Sequence, residues 1–117
     1  MILRSVWGLN LSKYTVIIPE QVNRDTDEAI FYMQSLGMYP KNISEFTKQL
    51  ATFIKKLETW PETGYNLSSR IDIDSSIKYF VIKDYILFYE IIDTQVTVIR
   101  LLPATSNWMS IIMRETR

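Results

Sequence analysis

The side chains of this chain that could do chemistry are basic, acidic or phenolic, because it has no histidine and no cysteine. That absence excludes disulfides, thiolate metal sites, thiol nucleophiles and the usual serine–histidine or histidine-ligand constellations. Lys83, Glu90 and Arg100 then stand out, each in or beside an apolar run of the C-terminal half. Arg100 lies between Ile99 and Leu101, and a cation in mid-strand needs a carboxylate partner or a functional surface. Glu90, in the preceding run, is one candidate partner. Lys78 and Lys83 fall on opposite faces by strand alternation, so the two cannot line one site. With 13 basic residues balancing 13 acidic ones, solvation of strand ends is favoured over nucleic-acid contact for these lysines. Nothing in the pattern calls for a metal or a cofactor.

The elements that must hold these residues follow from periodicity. Tyr14 to Ile18 is β-branched or aromatic throughout and meets Pro19, which predicts a strand from about Ser12 to Ile18. Val22, Thr26, Ala29, Ile30, Met33 and Leu36 then recur at helical spacing up to Gly37, with Pro19 and Glu20 suited to a first turn. Ile43, Phe46, Leu50, Phe53, Ile54 and Leu57 define a second amphipathic helix that stops by "WPETG". The short "GMYP" link makes these two helices an antiparallel hairpin. A polar loop follows, then apolar runs at Ile77 to Lys83, Tyr85 to Ile92 and Val96 to Leu102, separated only by "KD" and "DTQ". Such short links force neighbours to pair antiparallel as a meander. The tail from Ser106 suits a short terminal helix carrying Trp108, Ile111 and Ile112.

The expected architecture is α+β: one domain over 1–117, with a two-helix hairpin on an antiparallel sheet of about four strands and a short C-terminal helix. The strands are apolar on both faces, whereas the hairpin covers one. Tyr85, Leu87 and Tyr89 belong under the helices. Ile86, Phe88 and Ile92 on the opposite face are candidates for a partner-binding groove, with Trp108 and Met109 of the terminal helix, unless the N-terminal strand and that helix cover them. Trp7 and Trp108, near the chain ends, clasp the fold or await a partner. The N-terminal run carries Arg4 and Lys13 and lacks a cleavage pattern, so it does not read as a signal peptide, and no apolar stretch is long enough to span a membrane.

Four pieces in this order resemble the RelE/ParE family of toxins from bacterial type II toxin–antitoxin systems. They are Trp60, Pro61, Glu62 and Gly64; Ile77, Lys78, Phe80 and Ile82 leading into Tyr85, Ile86, Leu87, Phe88 and Tyr89; Arg100 and Leu101; and Asn107, Trp108 and Met109. The resemblance runs from Tyr14 to Ile112. It implies a cytoplasmic toxin that inhibits growth and is neutralised by binding a cognate antitoxin protein. The family divides by mechanism. RelE-like members cleave mRNA on the ribosome and place an arginine after the tyrosine that opens the middle strand, where this chain has Ile86. They also carry basic or tyrosine residues near the C-terminus, where this chain has Thr105, Ser106 and Ile112. One preorganised donor to developing charge is worth about 2–4 kcal/mol of barrier, so such losses point away from that branch. The ParE-like branch, associated with inhibition of DNA gyrase, is nearer in pattern, although Thr105 and Ser106 replace its common arginine pair. The alternatives are a RelE-type ribonuclease acting on ribosome-bound mRNA through Lys83, Glu90 or Arg100, and a degenerate, non-toxic binding module.

Overall fold

The computed structural model describes residues 13–71 and 74–115. Ser12 and Trp7 lie outside the described residues. In chain order the elements are β1 (Thr15–Ile17), α1 (Glu20–Ser35), α2 (Pro40–Lys56), β2 (Tyr65–Asn66), β3 (Ile77–Ile82), β4 (Tyr85–Ile92), β5 (Gln95–Pro103) and α3 (Trp108–Glu115). Single 3-10 turns at Pro61–Thr63 and Leu67–Ser69 flank β2.

Gly37 ends α1, and it does so with φ 75°, in the left-handed region that glycine enters without steric cost. Its N–H donates to the Gln34 carbonyl while Met38 N–H donates to Met33, the paired closure that satisfies the last helical carbonyls. Pro40 then opens α2 at a position where its missing N–H costs nothing. Two helices of 16 and 17 residues thus fold back on each other across a short link, as the periodicity predicts.

The sheet is five-stranded, in the order β1-β5-β4-β3-β2. The β3–β4–β5 meander is antiparallel as expected. The expected antiparallel sheet of about four strands is extended and made mixed at its edges. β1 pairs parallel with β5, Thr15 opposite Gln95 and Ile17 opposite Thr97. Short turns dictate the direction of consecutive strands only, and β1 reaches its neighbour after the whole hairpin has crossed over. β2 is two residues long, opposite Tyr79 and Lys78, too short for any periodicity to reveal.

The hairpin packs on one sheet face, where Val22, Ala29 and Met33 of α1 and Phe46, Leu50 and Phe53 of α2 meet Tyr85, Leu87 and Tyr89 of β4. Phe53 stacks on Phe80 at 4.0 Å between centroids. The other face has its own cluster, in which Leu67 from the β2–β3 connection and Ile112 from α3 cover Ile77, Ile86, Phe88 and Leu102. Coverage on both sides explains why β4 is apolar at every position from Tyr85 to Tyr89.

A register shift between Phe88 and Tyr89 leaves Ile99 as an extra residue on β5, so that Phe88 faces Arg100 while Tyr89 faces Val98. Such a bulge re-aims the next side chain. β1 pairs only with Gln95 to Thr97, so among the described residues no strand pairs with the β5 edge beyond that point, and Arg100 sits on it.

Candidate functional site

Arg100 is committed to an ion pair. Its Nε and Nη2 donate to the two carboxylate oxygens of Asp25 at 2.8 and 3.0 Å, the bidentate geometry that fixes a guanidinium most firmly. The same carboxylate accepts the Leu101 backbone N–H at 3.0 Å and Gln21 Nε2 at 3.0 Å. Asp25 therefore satisfies a β5 edge donor that no strand among the described residues reaches, and Pro103, two residues on, has no N–H to offer. The edge is closed to strand addition by these two devices. Glu115 of α3 approaches the third guanidinium nitrogen at 3.6 Å, so Arg100 ties α1 on one side of the sheet to α3 on the other. Burial alone would raise the Asp25 pKa, but the bonds from Arg100, Gln21 and the Leu101 N–H outweigh it and hold the carboxyl below its ordinary 3.8. Arg100 is driven up by its hydrogen bonds to Asp25, against the effect of burial.

The partner expected for Arg100, Glu90, is thus corrected to Asp25. Glu90 lies opposite Ile77 and Thr97 and accepts the Ser76 hydroxyl. Asp25 was hidden in the sequence because it falls beside the apolar row of α1, next to Thr26. The only signal was a carboxylate flanked at helical spacing by Val22 and Ala29.

Lys83 occupies the two-residue turn between β3 and β4 with φ 57°, a left-handed conformation that costs a non-glycine residue about 1 kcal/mol. Its ammonium stands 3.9 Å from Glu45 of α2, both side chains about half exposed. From Lys83 to Glu90 the chain runs almost the full length of β4, about 20 Å at the usual rise. The three candidate catalytic residues are therefore not gathered into one constellation.

Tyr89 locks the loop that carries the resemblance. Its hydroxyl donates to the Pro61 carbonyl at 2.7 Å and accepts the Gly64 N–H at 2.9 Å. A Cβ on Gly64 would stand 2.3 Å from that hydroxyl and 2.9 Å from the Tyr79 carbonyl oxygen, so the position admits only glycine without a shift. Burial, opposed by the Gly64 N–H and reinforced by Glu62, pushes the phenol up to about 12. It is no acid or base near neutrality. Trp60, Pro61, Glu62 and Gly64 form a structural clamp, with Trp60 outward and exposed.

The partner-binding candidates divide. Ile86 and Phe88 are buried, with Leu67 and Ile112 packed over them and the Trp108 ring 5.5 Å from that of Phe88. A cleft of about 210 Å³ beside α3 keeps contact with both, walled by Arg70, Tyr79, Val81 and Trp108. Arg70 stands over the Tyr79 ring at 5.7 Å. Ile92 and Met109 are exposed, and Trp108 is half-buried. Sequence reasoning missed a second apolar surface, at the hairpin tip, where Tyr32, Leu36, Met38 and Tyr39 are exposed. The "GMYP" link signalled it, being apolar where links are usually polar.

Neither a protein-family model nor a curated protein matches the chain. Among solved structures it is similar to a chain of the chromosomal ParDE TA system from P. aeruginosa, with a TM-score of 0.62 at 10% identity, over 79% of this chain and 97% of that one. The likeness shows the fold: α+β, helical hairpin on a mixed five-stranded sheet with a C-terminal helix, consistent with the ParE-like architecture. No helix among the described residues is long and apolar enough to cross a membrane.

Proposed function

We propose that this chain is the toxin of a toxin–antitoxin pair, acting in the cytoplasm by binding proteins and neutralised by a cognate antitoxin. The observation that carries this reading is a ParDE-like fold in which the best candidate for phosphate chemistry, Arg100, is tied up by Asp25. A cation already neutralised by a bidentate carboxylate contributes little to a developing phosphorane charge. Lys83 and Glu90 lie at opposite ends of β4, which weakens a general acid–base pair further. The antitoxin's footprint is assigned to Ile92, Met109 and the Trp108 cleft, the exposed parts of the apolar surface opposite the hairpin. DNA gyrase is the target this reading carries forward, with the ribosome and its mRNA as the rival.

Two assays on the purified chain separate them. The proposal expects inhibition of gyrase supercoiling and no cleavage of ribosome-bound mRNA. Cleavage that Arg100→Ala or Glu90→Gln abolishes would replace it with the ribonuclease reading. Unaltered supercoiling with the chain in excess would remove gyrase as the target.

A further inference from the structure

Tyr85 opens β4 on the hairpin face and is only 6% exposed, yet among the described residues its hydroxyl has no hydrogen-bond partner. Buried hydroxyls without partners are rare, because the lost hydration is not replaced. The ring packs against Phe46 at 5.3 Å, and the residue lines a cavity of about 510 Å³ between the hairpin tip and the β3–β4 turn. That volume falls in the usual range for small-molecule sites, which are mostly apolar with a few convergent polar groups. Met33, Leu36, Met38 and Phe46 supply the apolar wall. Lys83 is offset by Glu45, which leaves Asp84 of the wall as excess negative charge. An anionic ligand would be repelled here, whereas an uncharged acceptor aimed at the phenol would satisfy the orphaned donor.

We propose that this cavity binds an uncharged, largely apolar small molecule bearing one carbonyl-type acceptor, which takes the Tyr85 hydroxyl hydrogen while its body fills the space beside Met38 and Phe46. The site is on the opposite sheet face from the Trp108 cleft and does not depend on the toxin reading.

Prodan, an uncharged naphthalene ketone whose emission shifts blue in apolar surroundings, is the probe. The expected result is saturable one-to-one binding to the folded chain. Met38→Trp, which puts a larger ring in the cavity wall, should abolish it. Tyr85→Phe should weaken it about fivefold, the size of one neutral hydrogen bond, with the thermal midpoint of both variants close to that of the parent. Anilinonaphthalene sulfonate, similar in its ring system but anionic, should bind more weakly than Prodan. Absence of saturable binding, or binding left unchanged by Met38→Trp or by Tyr85→Phe, would overturn the proposal.

Discussion

Tyr85 and Tyr89 lie four residues apart on one face of β4, both buried beneath the same two helices, and their hydroxyls meet opposite circumstances. At Tyr89 the loop from Trp60 to Gly64 closes over the strand and supplies both a donor and an acceptor. At Tyr85 the hairpin tip and the β3–β4 turn stand apart and leave a cavity. A polar atom with its full complement of partners holds a fold in one state, whereas one left open to a cavity keeps capacity for something else. Asp25 belongs with Tyr89: it is buried, and every oxygen is used. The satisfied groups hold the structure and the unsatisfied one marks a place to bind.

The largest test of that contrast is Asp25→Ala. It orphans the Leu101 N–H and leaves Arg100, whose side chain is 15% exposed, without its main partner. Breaking a buried pair from one side costs about 3 kcal/mol, readable as a lower urea midpoint with unchanged slope. Gly64→Ala attacks the Tyr89 clamp and should cost nearly as much, about 2–3 kcal/mol, since Cβ meets a backbone oxygen as well as the phenol. Tyr89→Phe removes one hydroxyl and strands two backbone groups, at about 2 kcal/mol. At the open end the sign reverses. Lys83→Gly relieves the φ of 57° and should stabilise by about 1 kcal/mol. Tyr85→Phe should change stability by under about 0.5 kcal/mol, because no partner is lost. A Tyr85→Phe penalty as large as that of Tyr89→Phe would erase the contrast.

Acid titration sharpens the same distinction. The Asp25 pKa is lowered in the folded chain, so the stability it contributes is fully present above the ordinary carboxylate value near 3.8. That stability is lost as pH falls below that value towards the depressed one. Asp25→Asn should therefore be less stable than the parent at neutral pH, with the gap narrowing in urea melts below about pH 4.

Much of the fold was legible because it rests on short-range rules. The spacing of Phe46, Leu50, Phe53 and Leu57 and the short links of the meander leave little freedom. Gly37 and Pro40 punctuate the hairpin where such residues must. What was not legible depends on pairing at a distance. Nothing local to Thr15–Ile17 states that the strand runs parallel to β5, and nothing near Tyr65 announces a two-residue strand. The site suffered most from this. Arg100 was correctly read as a cation needing a partner, but partner choice is set by how α1 lies against the β5 edge, so Glu90 was named where Asp25 serves. Ile86 and Phe88 were correctly placed on the face away from the hairpin, and their covering by Leu67 and Ile112 depends on how a polar loop and a terminal helix dock. At the hairpin tip the apolar "GMYP" link signalled an apolar surface, but not the cavity between it and the β3–β4 turn.

A toxin held in check by a partner protein should be harmful alone and harmless with its partner. The test is tightly controlled induction of the chain in a bacterium, with and without co-expression of any small protein whose gene adjoins its own. Growth arrest that such a neighbour relieves is the expected result. Unchanged growth with soluble, folded chain accumulating, in a host whose gyrase the purified chain inhibits, would contradict it.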